Sequence, residues 1–249
     1  MLESYVNLCD LLQPRDGDVV SVIGAGGKHT LMYRLSDELV AAGRQVVLTS
    51  TTNLHRNVQR TDVATVVADE CDDWPGALAA MIGQDSRAVL VASNLGTNMH
   101  RGFEPQTVEK IRDAVPRAVV VVKADGARKR LLKAPGEDEP VYPPGGNLCV
   151  LVLSLDAIGK PLDPAHVHRI ERVRALTDGE QISAQTLIDV IGGHFGYARR
   201  FPSPSRRILY LSCCNSPEAE RHAREIFAET EDLFDRQICG DTIDGRYHA

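Results

Sequence analysis

The residues that could do chemistry begin with a glycine-rich stretch near the start of the chain, Gly24-Ala25-Gly26-Gly27-Lys28-His29-Thr30. It follows a short apolar run at residues 19–23 and precedes apolar residues at helical spacing. A strand, a glycine turn and a helix in this order place backbone N–H groups and a helix N-terminus around an anion. The glycines allow a close approach to phosphate oxygens, and the lysine supplies a positive charge. The stretch therefore predicts a phosphate-binding loop, although a tight strand–helix turn without a ligand has the same outline.

The stretch departs from the full phosphate-loop form, G-x-x-x-x-G-K-[ST], at two positions. Val22 lies where that form has its first glycine, and His29 lies where it has a serine or threonine. What remains is the shorter pattern G-x-x-G-K-x-T, as in ATP-dependent ligases of the Mur type. We predict that residues 24–30 hold the phosphates of ATP or GTP and that Lys28 is the cation that acts on them.

A second candidate group combines hydroxyl residues with an aspartate. Thr49-Ser50-Thr51-Thr52 ends the second predicted strand, and Asp125 follows an all-apolar run at residues 118–122. The carboxyl ends of parallel strands lie beside the ligand crevice, and phosphate-loop proteins use an aspartate there to place magnesium. We therefore predict Thr30, Thr52 and Asp125 as Mg²⁺ ligands, with Asp125 also catalytic. A threonine-rich strand end that caps its own turn is the alternative.

A long segment rich in proline and glycine follows at residues 126–147, and its charges change from basic to acidic along its length. A loop of this length without secondary structure is typically functional or disordered. Arg128 or Lys133 could fold over a bound phosphate and stabilise the charge of a transferred phosphoryl group. A solvated, charged loop is the alternative.

Other residues of types that bind metals or anions have structural alternatives. In the helix predicted over residues 164–176, His166 and His168 lie two apart and face different directions, so they cannot share a metal. Arg169 and Arg172 share one face of this helix, as anion ligands or as partners in surface ion pairs. The six cysteines show no C-x-x-C spacing and lie mostly within or beside apolar runs, which is typical of buried structural thiols.

Alternating strands and helices must position these residues. Apolar runs predict strands over residues 19–23, 45–48, 63–68, 88–92, 118–122, 149–155, 208–213 and 236–243, the last of them at an edge. Helical spacing predicts helices within residues 1–17 and over 30–42, 73–82, 105–115, 164–176, 183–191 and 218–229, while 94–102 is predicted as a loop. The alternation predicts an α/β fold with a doubly wound, mainly parallel sheet flanked by helices, similar to P-loop NTPases. We expect one domain over residues 1–249, with 177–249 completing the sheet or forming a small extension.

Composition argues against several classes of partner. The formal net charge of −6 does not favour nucleic acid, because a reader of the phosphate backbone needs a basic face. The chain shows no basic n-region followed by an apolar stretch, and no apolar run approaches the roughly 18 residues that span a bilayer. We therefore expect a cytoplasmic protein that binds neither nucleic acid nor a membrane.

Five segments in order resemble the YqeC-type family of selenium-dependent hydroxylase accessory proteins, also called selenium cofactor biosynthesis proteins. They are the phosphate loop, the hydroxyl-rich strand end, and residues 123–128 (KADGAR), 132–141 (LKAPGEDEPV) and 155–162 (LDAIGKPL) with 166–169 (HVHR). The resemblance extends from about residue 18 to about residue 176. It implies a P-loop nucleotide-binding protein, an ATP or GTP hydrolase, that assists the maturation of a selenium-dependent molybdenum hydroxylase.

The chain differs from the family pattern at the expected metal site. His29 replaces a threonine of GAGGKTT, and Lys123 replaces the glutamate of EADG, on the strand face that period-two geometry assigns also to Asp125. Magnesium favours oxygen ligands and is repelled by an ammonium group. One hypothesis is an NTPase in which Lys28, Asp125 and Arg128 act on a magnesium-bound triphosphate. Another is a carrier or assembly chaperone that binds a nucleotide or a molybdopterin dinucleotide without turnover, and a third is a scaffold with a vestigial loop.

Overall fold

The computed structural model describes residues 4–5, 7–55, 62–96 and 98–249. The strands in these ranges are β1 (Ser4–Tyr5), β2 (Val19–Gly24), β3 (Val46–Ser50), β4 (Leu54–His55), β5 (Thr65–Val67), β6 (Arg87–Val91), β7 (Ser93–Asn94), β8 (Met99–Arg101), β9 (Val119–Lys123), β10 (Leu132–Lys133), β11 (Leu148–Ser154), β12 (Val167–His168), β13 (Arg206–Ser212), β14 (Arg236–Asp241) and β15 (Arg246–His248). The α-helices are α1 (Leu8–Leu12), α2 (Lys28–Ala41), α3 (Trp74–Asp85), α4 (Thr107–Ala114), α5 (Ile170–Arg174), α6 (Ala184–Gly192) and α7 (Pro217–Thr230).

One large sheet organises the described residues. Its strands follow the order β1-β15-β14-β13-β11-β2-β9-β3-β6-β5. Neighbours from β14 to β5 pair in parallel, whereas β15 is antiparallel to both β14 and β1. The predicted α/β fold with a mainly parallel, doubly wound sheet is therefore confirmed.

The central strands are apolar along their whole length because helices cover both faces of the sheet. Every residue of β2, β9 and β11 is buried. Apolar side chains of α1 and α2 pack on one face. Those of α3 and α4 cover one half of the other face, and those of α5, α6 and α7 cover the second half. The site-bearing strand ends therefore belong to a rigid, doubly covered layer.

The first predicted helix is much shorter than the segment that was expected to contain it. Helix α1 covers Leu8–Leu12, and Asn7 caps it by accepting a hydrogen bond from the backbone N–H of Asp10. Ser4–Tyr5 instead forms an edge strand with β15. Residues 1–3 and 6, which also fall in the predicted segment, lie outside the described residues.

Residues 94–102, predicted as a loop, contain short strands. Strands β4, β8 and β7 form a small antiparallel sheet, in which Leu54 pairs with His100 and Ser93 with Arg101. Strands of two or three residues show no period-two pattern, so only their pairing with a distant segment reveals them.

The helix predicted over residues 164–176 is wrong in its first half. Val167–His168 forms β12, which pairs in parallel with β10, and α5 begins only at Ile170. Arg169 lies between them with a left-handed φ of 58°, which a helix does not accommodate. Contact with the distant Leu132–Lys133 segment therefore overrides the local helical spacing.

The strand predicted over residues 236–243 was placed at an edge, and this placement is wrong. Strand β14 lies between β13 and β15, and β1 adds a further strand outside β15. The two outer strands are two and three residues long, too short for a periodic signal. None of the described helices is long and apolar enough to cross a bilayer.

Candidate phosphate-binding site

The glycine-rich loop connects β2 to α2, in the strand–turn–helix order predicted from the sequence. Gly24, Gly26 and Gly27 have left-handed φ angles of 90°, 74° and 101°. A Cβ at Gly24 would lie 2.1 Å from the carbonyl oxygen of Val152, and one at Gly26 would lie 2.3 Å from Ser154 Cβ. The loop therefore requires glycine for its backbone angles and for its close packing against β11.

The N-terminus of α2 is free of side-chain capping. Its N-cap residue is Gly27, which has no side chain to accept a bond from the first turn. The unpaired backbone N–H groups of a helix start, with the helix dipole, favour a bound anion. The backbone of Gly26 is held from behind, because Ser212 Oγ on β13 donates a hydrogen bond of 2.9 Å to its carbonyl oxygen.

Lys28 is folded back over this loop. Its Nζ donates a hydrogen bond to the carbonyl oxygen of Gly24, and its side chain is buried. Burial lowers the pKa of Lys28 to about 8, an effect that the negative charge of Asp125 partly opposes and the positive charge of Lys133 reinforces. The ammonium group therefore lies within a site that disfavours its charge in the absence of an anion.

Lys123, at the end of β9, holds the hydroxyl predicted as a metal ligand. Its Nζ donates to Thr52 Oγ1 at 2.5 Å and to the carbonyl oxygen of Asn53 at 3.0 Å. Burial, followed by the positive charge of Lys28, lowers the pKa of Lys123 to about 7. A second buried lysine thus lies where the family pattern EADG has its glutamate.

Asp125 is fully buried and has a partner on each carboxylate oxygen. Oδ2 accepts hydrogen bonds from the backbone N–H of Gly24 at 3.1 Å and from the Tyr197 hydroxyl at 2.7 Å. Oδ1 accepts from Lys133 Nζ. Strand β9 ends at Lys123, so the period-two expectation that Lys123 and Asp125 share a face does not extend to Asp125. The two side chains share no hydrogen-bond partner, and a common face for them stays a prediction.

Tyr197 is a contributor that sequence reasoning missed. It begins a short 3-10 helix, Tyr197–Arg200, and its ring is completely buried. Burial and the adjacent Asp125 carboxylate raise the pKa of Tyr197 well above its ordinary value, so the hydroxyl remains a donor. No local pattern indicates this contact, because 72 residues separate the two partners.

Lys133 is a structural cation at the centre of a buried network. Besides Asp125, its Nζ donates to the carbonyl oxygen of Gly126 at 2.7 Å and to Glu139 Oε2 at 2.7 Å. Arg169 Nε also donates to Glu139 Oε2, at 3.0 Å. Burial would raise the pKa of Glu139, but hydrogen bonds from Arg169 and Lys133 hold it at about 2. Because an ammonium has three protons and all three have acceptors here, Lys133 does not reach over the pocket as predicted.

A pocket of about 430 Å³ opens beside the phosphate loop at the carboxyl ends of the strands. In the described part of the chain its wall carries six cationic side chains and one carboxylate, that of Glu139. The cationic residues are Lys28, Lys123, Arg128, Lys129, Arg130 and Arg169. A concave wall with one dominant sign of charge concentrates the electric field and attracts anions.

The structure gathers part of the predicted site in this pocket. The predicted residues that line it are Gly26, Gly27, Lys28, His29, Thr52 and Arg128. Gly24, Ala25, Asp125 and Lys133 are buried and do not line it, while Thr30 is exposed on α2 outside it. Ala25 donates its backbone N–H to the carbonyl oxygen of Val152 at 2.9 Å, so this group is not available to a ligand. Of the two later arginines, Arg169 lines the pocket, whereas Arg172 lies over the Phe195 ring.

The donors predicted for Mg²⁺ do not suit it. Magnesium requires several oxygen ligands in a near-octahedral arrangement. Thr52 Oγ1 faces an ammonium, both oxygens of Asp125 accept hydrogen bonds from the protein, and Thr30 does not line the pocket. Over residues 4–5, 7–55, 62–96 and 98–249, no group of three or more histidine, cysteine, aspartate or glutamate residues could hold a metal ion.

Comparison with known proteins finds a family and a bacterial protein that this chain resembles. A family model described as YqeC protein matches residues 20–171, a range that contains every residue lining the pocket. The Escherichia coli (strain K12) protein named "Uncharacterized protein YqeC" is 25% identical over 206 residues, which are 82% of this chain and 78% of that protein. Tyr197 lies beyond the part that the family model matches. Because the matched part covers more than half of the 249 residues, the chain belongs to the YqeC family.

Proposed function

We propose that this protein binds a nucleotide, or another cofactor that carries a nucleotide phosphate, and that it does so without magnesium and without turnover. The observation that carries the proposal is the pocket wall, with six cationic side chains and one carboxylate in a chain whose net charge is −6. A strongly positive cavity in an acidic protein is costly to maintain unless an anion binds there.

The phosphate loop is the proposed seat of one phosphate group. Gly26 and Gly27 line the pocket and have no Cβ, so an anion can approach their backbone N–H groups closely. The uncapped start of α2 adds further donors and the positive end of the helix dipole. Lys28 uses one of its three ammonium protons on the carbonyl oxygen of Gly24, so the others can meet a phosphate oxygen, whose negative charge would favour the protonated lysine.

The cations of the pocket take the part that magnesium plays in other phosphate-loop proteins. Lys123 places an ammonium on the Thr52 hydroxyl, so a divalent cation would be repelled from this end of β9. Free ATP carries more negative charge than its magnesium complex and therefore matches this wall better. Binding of the uncomplexed polyphosphate is the expected mode.

The described pocket offers little support for the alternative, an NTPase. Phosphoryl-transfer enzymes typically use a carboxylate or amide side chain to orient or activate the nucleophile, and Glu139 is the one carboxylate in the described wall, which otherwise offers only the imidazoles of His29 and His168 for this role. Glu139 is held between Lys133 and Arg169, with a pKa of about 2, so it is a weak base. Binding without turnover is the function that these contacts favour.

The resemblance to accessory proteins of selenium-dependent molybdenum hydroxylases suggests how such binding would be used. A carrier or assembly factor would hold a nucleotide, or the nucleotide part of a molybdopterin dinucleotide, and pass it to the partner enzyme. Both ligands carry the phosphate groups that this pocket is proposed to bind.

Isothermal titration calorimetry with ATP and GTP, in EDTA and in excess Mg²⁺, tests the proposal. We expect binding in EDTA, weaker binding in Mg²⁺, and no phosphate release in either buffer. In Lys28→Ala the affinity in EDTA should fall about 10- to 100-fold, the usual cost of losing a charged hydrogen bond. Lys110→Ala, which removes an exposed lysine that does not line the pocket, is the control and should bind like the wild type. Equal affinity of wild type and Lys28→Ala would refute the phosphate-loop assignment, and rapid Mg²⁺-dependent phosphate release would favour the NTPase.

A further inference from the structure

We propose that the pocket has a second anion seat, formed by Arg128, Lys129 and Arg169, so that its ligand carries a chain of phosphates rather than a single one. This inference rests on the proposed function, since it assigns the rest of the wall once the loop holds the first phosphate. The proposed ligands are compounds that carry a polyphosphate, whatever group the phosphates are attached to.

The backbone of these three residues is the first observation. Arg128, Lys129 and Arg169 have left-handed φ angles of 47°, 61° and 58°. Only six non-glycine residues in the described part of the chain have such angles, and half of them are basic residues of this one wall. Residues other than glycine avoid this region for steric reasons, and ligand-binding sites are where such conformations accumulate.

The segment that carries Arg128 and Lys129 is held firmly on either side. Arg130 Nε donates to the carbonyl oxygen of Pro164 at 2.7 Å, and its backbone N–H donates to that of Ala127 at 2.9 Å. On the other side, Gly126 accepts the hydrogen bond from the buried Lys133. The backbone of Arg128 and Lys129, the tip of this segment, is therefore fixed. The segment lies beside the phosphate loop, because a Cβ at Gly26 would be only 3.1 Å from the carbonyl oxygen of Leu131.

The charges at the tip have no protein partners to balance them. Arg128 and Lys129 are exposed and make no hydrogen bond or ion pair with any other described residue. Glu139, the only carboxylate lining the described wall, already pairs with both Lys133 and Arg169. The neighbouring cations of this wall repel one another, and the single carboxylate does not balance their charge. An incoming anion could form charged hydrogen bonds with them and relieve this repulsion.

The pKa of His168, beside Arg169 in the wall, is affected by the same excess of positive charge. Its pKa is lowered first by burial and then by the positive charges of Lys133, Arg169 and Arg128. Because its pKa is lowered, His168 adds no positive charge of its own to the wall at neutral pH. It leaves the arginine and lysine side chains as the groups that a second phosphate would meet.

Calorimetry with orthophosphate, pyrophosphate and tripolyphosphate, at constant ionic strength and without divalent cations, tests the second seat. For the wild type we expect the affinity to rise at least about tenfold from orthophosphate to tripolyphosphate, as added charged contacts would give. In Arg128→Ala/Lys129→Ala that rise should shrink to about threefold or less, with orthophosphate binding changed by no more than about twofold. Both side chains are exposed, and circular dichroism would verify that the variant is folded.

A matched control removes two exposed basic residues outside the pocket, in Lys110→Ala/Arg117→Ala, and should keep the full rise. The second seat is refuted if the wild-type affinity does not depend on chain length, or if the double variant keeps the full rise. An equal loss for all three anions, in the double variant but not the control, would also refute it, because it would indicate only a general field. These failures differ from failure of the proposed function, which would appear as phosphate binding that Lys28→Ala leaves unchanged.

Discussion

Two lysines with depressed pKa values dominate the chemistry of the pocket at the scale of single residues. The Lys28 ammonium lies on the carbonyl oxygen of Gly24, and the Lys123 ammonium lies on Thr52 and Asn53. Burial is the main cause of both low pKa values, about 8 and about 7. Burial disfavours the protonated form of both lysines, and a bound anion would favour it. Anion binding and lysine protonation should therefore be coupled.

This coupling gives a pH dependence with a definite sign. As the pH rises through about 7 and then about 8, Lys123 and Lys28 lose their protons and the affinity for Mg²⁺-free ATP should fall. Binding near these values should take up protons, which calorimetry in buffers of different ionisation enthalpy measures directly. In Lys123→Met the step near pH 7 should be absent.

The stability of the ligand-free protein should change in the opposite direction. The unfolded chain keeps lysines at their ordinary pKa, so above about pH 7 it binds more protons than the folded chain. The free energy of unfolding therefore rises with pH while the affinity falls. An affinity that is flat between pH 6 and pH 9, on the order of the range these lysines cover, would contradict the role given to both of them.

The individual residues could be predicted only in part from the sequence. Lys28 was identified because a lysine after two glycines follows a known local pattern, and the positive φ angles of those glycines fit it. The basic run at residues 128–133 was assigned one role, whereas the structure separates an exposed tip from the fully buried Lys133. Burial of a lysine depends on acceptors elsewhere in the chain, in this case Asp125 and Glu139, and no local pattern reveals them.

At the scale of elements, Asp125 joins three segments that are far apart in the chain. It accepts from Gly24 at the end of β2, from Lys133 on β10, and from Tyr197 in the short helix after α6. The aspartate thereby acts as a positioning residue for the phosphate loop. This role gives the aspartate that follows β9 a structural function that does not need magnesium.

Replacing Tyr197 tests this positioning role. Tyr197→Phe removes one donor to a buried carboxylate and should lower the free energy of unfolding by about 1–3 kcal/mol. It should also weaken ATP binding, because Gly24 shares the same Asp125 oxygen. Urea denaturation and calorimetry measure the two effects.

Tyr247→Phe is the matched control for this substitution. The Tyr247 hydroxyl is buried without a hydrogen-bond partner among the described residues, so its removal should leave stability unchanged or slightly raised. If both substitutions had the same effect, the Tyr197–Asp125 hydrogen bond would not be the cause of the loss.

At the scale of the whole molecule, the sheet connects the matched family region to the residues beyond it. Strand β13 pairs with β11 along seven residues, and β14 and β15 continue outward from it. Ser212, at the end of β13, also supports the phosphate loop. The last third of the chain therefore contributes to the same core as the loop.

A truncation tests whether the segment after residue 204, which contains β13, β14 and β15, is dispensable. A chain that ends after residue 204 would expose the edge of β11, all of whose residues are buried in the full protein. We expect it to lose cooperative thermal unfolding and ATP binding, measured by differential scanning calorimetry and titration. A truncated chain that unfolds cooperatively and binds ATP would show that β13–β15 form a separable extension.

The large elements could be predicted from the sequence because each has its own local signal. The apolar runs of β2, β9 and β11 and the helical spacing of α2 are long enough to be recognised without their partners. Seven of the described strands that are only two or three residues long, β1, β4, β7, β8, β10, β12 and β15, could not be predicted in this way. Their hydrogen-bond partners lie elsewhere in the chain, and the pairing alone defines them.

The contact between Lys28 and the carbonyl oxygen of Gly24 has a consequence for the entropy of binding. An ammonium group has three protons, and this contact uses one of them. The side chain can therefore keep its place on the loop while its other protons meet a phosphate oxygen. Because the loop holds the lysine in position before an anion arrives, binding would cost little of the rotamer entropy that a free lysine loses.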